Sequence, residues 1–264
     1  PWNTCQEYMD LLKKAKPTIN FATLCGHGNL RGSIVGYKDV KTQKRQINKM
    51  KELLKSMLSY DIKGLSTGLI YPPGIFANTE EIIELAKILK QFKGIYTTHM
   101  RSEGDRVIGA LEETILIAKK AKIPVHISHL KTSGRDNWWK INAVLKIIKE
   151  AQNIGIQITA DRYPYIASQT DLDAFLPSWI IEGSREDIIE RLKNKNVRLK
   201  IKKYFKERGE NILNSLLISD IASDKYKTLE GKRLAEVVTL ENAAQFTCDL
   251  LIHSNLMVGV IYFG

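Results

Sequence analysis

The segments GIYTTHM (Gly94–Met100) and PVHISHL (Pro124–Leu130) decide the fold. Each is a short run rich in β-branched and aromatic residues, opened by Gly or Pro and carrying a histidine one place from its end. His99 and His129 are 129 − 99 = 30 residues apart, and Leu69, late in GLSTGLIY (Gly64–Tyr71), lies a further 99 − 69 = 30 back. The residues between these runs carry helical spacing. Ile82, Leu85, Ala86 and Leu89 fall at i, i+3, i+4 and i+7, as do Ile141, Val144, Leu145 and Ile148; Ile108, Leu111, Ile115 and Ala118 form a similar stripe. Asn78 is placed to cap the helix that begins there, with Glu80 and Glu81 in its first turn. Strand–helix alternation at this period predicts parallel strands joined by right-handed crossovers. A doubly wound sheet and a (β/α)₈ barrel both satisfy it. Histidines late in their strands favour the barrel, whose catalytic groups gather at the carboxyl ends of the strands.

Working outward, Ile156–Arg162 supplies a further strand, and Ile19–Leu24 an earlier one that runs into the Gly-rich CGHGNLRG (Cys25–Gly32), ahead of a long helix over residues 42–60. That makes about five strands of an incomplete barrel. After Ser168 the beat is lost: residues 171–209 read as a helical cap, and residues 234–264 as one more helix with an apolar end. Of the 264 residues 44% are hydrophobic and 26% charged, an ordinary globular mix. No stretch rich in Gly, Ser or Pro marks a linker, so a single domain over 1–264 is the simplest reading. The chain opens Pro-Trp-Asn-Thr, which is neither an initiator Met nor a signal peptide, and reads as cleaved, trimmed or only part of a gene product. No apolar run is long enough to span a membrane, so no membrane partner is expected. The net charge of +11 comes from lysines scattered along amphipathic stretches, not gathered with aromatics on one face. That argues against a nucleic-acid partner, with Lys193–Lys206 the densest basic run. Cys5, Cys25 and Cys248 show no CxxC spacing, and an odd count without a secretory signal points to reduced thiols in a cytoplasm.

His99 and His129 are the candidate metal ligands: two imidazoles at one height on adjacent strands would share the mouth of a barrel. Zn²⁺ at a catalytic site typically takes three protein ligands and keeps a position for water. Two core histidines satisfied by hydrogen bonds would be the plainer explanation. Alternation along the strand sends positions 127 and 129 one way and His126 the other, so His126 is expected to face the helix layer. His27, among glycines after a strand, is either a loop residue or a site contact; His253 reads as packing. At the same face Arg101 and Glu103 follow His99, Lys131 follows His129, and Asp161, Arg162, Tyr163 and Tyr165 follow the next strand. A cation just beyond a metal ligand suits a substrate carboxylate. An ion pair of Lys131 or Arg101 with Glu103 or Asp161 would explain the same residues.

Five motifs, taken in order, resemble the N-acyl-D-amino-acid deacylases (D-aminoacylases) of the amidohydrolase superfamily. They are CGHGNLRG, GLSTGLIYPPG (Gly64–Gly74), IYTTHMRSEGD (Ile95–Asp105), VHISHLK (Val125–Lys131) and ITADRYPYIAS (Ile158–Ser168). The resemblance implies a (β/α)₈ barrel with a small β-sandwich and zinc as cofactor. It implies hydrolysis of the amide of a small N-acyl-D-amino acid. On that basis His99 and His129 correspond to the metal ligands of barrel strands five and six. Tyr71, Lys131 and Ser168 correspond to residues that hold the substrate, chiefly its carboxylate, and Tyr163 lies close to them. His27, Arg101 and Glu103 are placed as a supporting shell.

The departures are as informative. The family's HxH pair, its metal-bridging Cys and its catalytic Asp in a Gly-Ser-Asp-Gly context have no counterpart in these 264 residues. The chain therefore resembles barrel strands three to seven of an internal fragment, with the catalytic Asp outside it. Alone it is expected to be inert, completed either by the missing barrel segments or, at its open edges, by a second copy. A cyclic-amide hydrolase of the hydantoinase or dihydroorotase kind would carry a carboxylated Lys on strand four, where Leu65-Ser66-Thr67-Gly68 offers none. A non-catalytic barrel remnant is the third alternative.

Overall fold

The computed structural model describes residues 2–264, which pack as two compact units, one ending at Tyr163 and the other running from Pro164 to Gly264. The first unit is an incomplete (β/α) barrel. Its parallel sheet has the order β1 (Cys25–Gly26), β2 (Gly64–Gly68), β3 (Ile95–His99), β4 (Val125–Ile127), β5 (Ile158–Ala160), with β1 and β5 at the edges. Around it run α1 (Cys5–Ala15), α2 (His27–Ile34), α3 (Lys44–Leu58), α4 (Thr79–Leu89), α5 (Val107–Ala121) and α6 (Ile141–Asn153). Asn78 caps α4, its side chain accepting the Glu81 N–H at 2.8 Å. The expected α4 stripe is fully buried, whereas in α6 Val144 is buried and Leu145 exposed.

Side chains of the sheet alternate between two faces. Leu65, Thr67, Tyr96, Thr98, Val125 and Ile127 enter the helix-covered core and are all buried. Ser66, Thr97, His126 and Thr159, which stand opposite one another across β2–β5, form a row on the other face. Buried hydroxyls on the core side satisfy each other: Thr67 Oγ1 lies 2.9 Å from Tyr96 Oη and 2.8 Å from Thr98 Oγ1.

Two sequence expectations need correction here. Residues 19–24 do not form a strand; Ile19 and Phe21 are exposed, and β1 is the two-residue ladder Cys25–Gly26. From His27 on, the Gly-rich segment is not a loop but the start of α2. His27 and Arg31, one helical turn apart, point from it onto Glu81 of α4: His27 Nε2 and Arg31 Nη1 lie 2.8 Å and 2.6 Å from its carboxylate, and Thr42 joins them. Burial pushes the Glu81 carboxyl up, but hydrogen bonds from His27 and Thr42 and the Arg31 charge outweigh it and hold the group below its usual range.

The second unit is a three-stranded antiparallel sheet, order β6 (Ala167–Asp171), β8 (Val258–Phe263), β7 (Leu216–Ile221). It packs with α7 (Arg185–Lys193), α8 (Lys195–Arg208), α9 (Asn211–Ser215), α10 (Leu234–Val237) and α11 (Ala243–His253) around a separate core that includes Phe205, Ile218 and Leu251. Much of the basic run on α7 and α8 is drawn into ion pairs, Lys193 with Glu190, Arg198 with Asp249, and Lys202 and Lys206 with Glu241. All three cysteines are free thiols. Among the described residues no helix is long and apolar enough to cross a membrane.

Candidate metal centre

His99 ends β3 on the row shared with Thr97, away from the helix layer. His129 reaches it by a different route. The ladder pairs Gly68 with His99 and Thr98 with Ile127, steps of 31 and 29 residues, so Ser128 and not His129 stands opposite His99. The matched heights read from the thirty-residue spacing are thus one residue out. Strand alternation would also aim His129 into the helix layer. It does not, because β4 ends at Ile127 and His129 takes a left-handed backbone, φ 42°. That turn brings His129 Nε2 to 3.0 Å from His99 Nδ1, with ring centroids 4.6 Å apart and the planes near edge-on.

The same turn corrects the reading of His126. It lies on the open row rather than in the helix layer, with Nδ1 2.8 Å from Thr159 Oγ1 and Nε2 2.9 Å from Asp161 Oδ2. His126 obeys the strand alternation and His129 has left it.

Glu103, on the loop after β3, completes the cluster. Its Oε1 lies 2.8 Å from His129 Nδ1 and its Oε2 4.0 Å from His99 Nε2, and it is ion-paired with Lys131. Lys131 Nζ also sits 3.0 Å from His129 Nδ1. A carboxylate accepts only, so the consistent proton arrangement has His129 Nδ1–H and Lys131 both donating to Glu103. His129 Nε2 then presents its lone pair towards His99. Burial, with help from the Lys131 charge, pushes the His99 imidazole down to about 4, against the pull of Glu103. At neutral pH the ring is therefore neutral, the form that ligates metals. Burial raises Glu103, but the hydrogen bonds from His129 and Lys131 and the Lys131 charge prevail, keeping it ionised.

His99 and His129 line a cleft of about 430 Å³ whose wall also includes Gly26, Asn29, Gly68 and Tyr71. The Tyr71 and His99 rings are 5.5 Å apart. Burial and then Glu103 raise the Tyr71 hydroxyl pKa, so it stays a proton donor. Tyr71 can lie over the end of β2 because residue 68 is Gly: a Cβ there would collide with the tyrosine hydroxyl. The Tyr163 ring lies 5.6 Å from Lys131 Nζ and is stacked by the Arg162 guanidinium at 3.9 Å.

The other expected residues fall elsewhere. Arg101 binds neither Glu103 nor Asp161. Its guanidinium is taken by Glu113 (2.9 and 3.0 Å) and by the carbonyls of Ile75 and Ala77, which makes it a brace between β3, α5 and the loop after β2. His27 belongs to the buried Glu81 cluster described above. Ser168 lies on β6 of the second unit, paired in register with Tyr262. His253 packs edge-on to Tyr226 at the end of α11. One partner escaped the sequence reading: Glu113, which could have been found as the acid on the face of α5 nearest the sheet. Asp161, expected at this face as an ion-pair partner of Lys131 or Arg101, instead takes His126 and the His129 backbone N–H.

The donor set fits a divalent metal. Two imidazoles and one carboxylate offer ligand atoms all within 4.8 Å of one another, the number and kind of ligands that a catalytic Zn²⁺ takes. The 3.0 Å between the facing ring nitrogens is close to the roughly 3.3 Å that two ligands keep at tetrahedral bonds of about 2.0–2.1 Å. Among the described residues His99 Nε2 is buried with no hydrogen-bond partner, an unfilled bonding position on a candidate ligand.

Comparison with known proteins follows the same line. No protein-family model matches the chain. A D-aminoacylase of Alcaligenes xylosoxydans xylosoxydans is 37% identical over 166 residues, 63% of this chain and 34% of the relative. The crystal structure of a D-aminoacylase with a binuclear metal centre superposes with a TM-score of 0.75 at 28% identity, covering 98% of this chain and 46% of the other. An N-acyl-D-glutamate deacylase of Bordetella bronchiseptica, solved with zinc and a phosphonate mimic of the tetrahedral intermediate, gives 0.74 at 26% identity over 98% and 47%. The resemblance carried by the five motifs is thus borne out in sequence and in fold. The chain spans about a third of the length of the sequence relative and about half of the solved structures it matches.

Proposed function

We propose that this chain, similar in sequence and fold to a segment of the D-aminoacylases, forms part of a metal-dependent amidohydrolase that cleaves N-acyl-D-amino acids, with zinc as the metal. The observation that carries the reading is the convergence of His99 and His129 to 3.0 Å at the carboxyl ends of adjacent parallel strands, backed by a half-buried carboxylate. Bound there, Zn²⁺ supplies an activated water and polarises the acyl carbonyl. The chain's own residues do the rest of what is proposed here. Glu103 fixes His129 through Nδ1 so that Nε2 faces the metal position, the usual carboxylate–imidazole arrangement around metal sites. Lys131, steadied by Glu103 and the Tyr163 ring, grips the substrate α-carboxylate by a charge-assisted bond. Tyr71 donates its hydroxyl to the same group. Products are the free carboxylic acid and the D-amino acid. The cyclic-amide alternative needs a Lys at the metal on β2, and Leu65–Gly68 supplies none.

The test is equilibrium dialysis against Zn²⁺ with metal analysis of the wild-type chain, His99→Ala and His129→Ala. Retention of about one zinc by the wild type and its loss in both variants is expected; equal retention in all three overturns the site. We also propose that the 264-residue chain is inert alone, which is assayed with N-acetyl-D-methionine and N-acetyl-D-glutamate. Turnover of about 1 s⁻¹ or more, an ordinary enzyme rate, would contradict that.

A further inference from the structure

We propose that Asp161 is a positioning residue of the metal centre: it holds His129 in the left-handed turn that swings its imidazole onto His99. The proposal rests on the metal-site reading above and adds the residue that makes the site possible. Asp161 immediately follows β5, beside the end of β4, and one residue there binds three positions of the departing strand. Its N–H donates to the Ile127 carbonyl at 3.1 Å, where the ladder stops, and its own carbonyl accepts the Leu130 N–H at 2.9 Å. Between them its side-chain Oδ1 accepts the N–H of His129 itself. The second carboxylate oxygen is held by His126 Nε2 at 2.9 Å, and His126 Nδ1 accepts from the Thr159 hydroxyl at 2.8 Å.

The clamp answers a specific need. A non-glycine residue at φ 42° is disfavoured by contact between its Cβ and the following carbonyl. Continued in β geometry, His129 would follow Ile127 into the helix layer and the His99 ring would lose its partner. In a continued ladder the His129 N–H would face β5, as the Val125 N–H does in meeting the Gln157 carbonyl. In the turned geometry the Leu130 N–H takes the Asp161 carbonyl instead, and Asp161 Oδ1 is the acceptor that the described residues give the His129 N–H. A carboxylate is a strong acceptor for a backbone N–H. Hydrogen bonds from His126 and from the His129 backbone keep the Asp161 carboxyl below its ordinary range, so it remains ionised as an acceptor through neutral pH. His126, which neither packs in the core nor touches His99, thereby acquires a role: it aims Asp161.

The experiment uses the full chain as wild type, Asp161→Ala and Asp161→Asn, with two readouts. One is residue-resolved hydrogen exchange of the His129 amide without metal; the other is Co²⁺ titration followed by its visible absorption. Asp161→Ala is expected to speed His129 exchange at least about tenfold and to weaken Co²⁺ about 10- to 100-fold, the usual range for groups that orient a ligand. Its thermal midpoint should stay within a few degrees of the wild type. Asp161→Asn keeps a carbonyl oxygen at Oδ1 and should restore both readouts to within about threefold, a rescue that a general loss of packing would not show. Unchanged His129 exchange and Co²⁺ affinity in Asp161→Ala overturn the proposal. Should that variant not fold, the wild type decides: a His129 amide exchanging like an exposed one refutes the clamp, and a protected one sustains it. Failure of the wild type to bind Co²⁺ would overturn the metal-site reading, and the metal role of Asp161 with it. The amide data would then still show whether Asp161 sets the turn.

Discussion

Replacing Glu81 by Ala should cost the barrel unit about 3–5 kcal/mol, the range for stripping one partner from a buried ion pair. The figure follows from what is left behind. Arg31 and His27 are both fully buried, and Glu81 is the only carboxylate the described residues place on either. Without it the Arg31 guanidinium keeps Thr42 and the Val40 carbonyl at 2.8 Å but no counter-charge. His27 Nε2 loses its acceptor on a ring whose Nδ1 already has no partner. The cluster joins α2, the residues before α3, and α4, so the loss should appear as opening of that region. The assay is hydrogen exchange by mass spectrometry on peptides covering residues 27–34 and 79–89. Since about 1.4 kcal/mol is a factor of ten, exchange there should accelerate about 100-fold or more in Glu81→Ala. The double variant Glu81→Gln/Arg31→Met removes both charges and should lose much less than the two single changes summed, because the pair is coupled. The pH sign is fixed by the depressed Glu81 carboxyl. Its contribution is present above the unfolded value near 4.5 and is lost as pH falls through the lower folded value. Exchange in Glu81→Ala within threefold of the wild type at pH 7 would refute this account of the cluster.

Three further outcomes follow from the geometry. Gly68→Ala should displace the Tyr71 ring from the cleft, since the new Cβ meets its hydroxyl; Tyr71 ring resonances that do not shift on His99 protonation in the variant, but do in the wild type, would show it. His99 should titrate near pH 4 in the wild type, and its pKa should rise in Lys131→Ala because a neighbouring positive charge is removed; an ordinary value near 6.5 in the wild type would count against a buried site. In the second unit, burial and then the Asp171 charge raise the Asp173 carboxyl to about 6. Its proton is held more tightly in the folded state, so stability falls as pH rises from about 4 through 6. Asp173→Asn should flatten that dependence, by at most about 3 kcal/mol, as read from urea melts at pH 4 and 7.

Most of the barrel unit was legible because its contacts are local: from β2 onward each strand pairs with one 29 to 33 residues further on, and the apolar periods of β2–β4 and α3–α5 change where the elements do. The convergence of His99 and His129 was readable too, but for an incomplete reason. Spacing placed both at strand ends; the left-handed turn at His129, invisible in a residue pattern, brings them together and leaves His126 on the open face. The Gly-rich segment misled because its glycines suggested a loop, whereas the buried His27–Glu81–Arg31 contacts stabilise a helix there. The second unit was least legible. Its sheet pairs residues 167–171 and 216–221 with 258–263, contacts far apart in sequence whose partners no local period reveals. β7 did carry a hint in the alternation of buried Leu216 and Ile218.

The central claim is that His99 and His129 bind one metal ion together. X-ray absorption at the zinc edge, on the wild-type chain loaded with one equivalent, tests it most directly. The account predicts two imidazole shells with Zn–N at about 2.0–2.1 Å, reduced to one in either His→Ala variant. Sulfur scattering at about 2.3 Å, or a spectrum unchanged by both substitutions, would place the metal elsewhere and contradict the account.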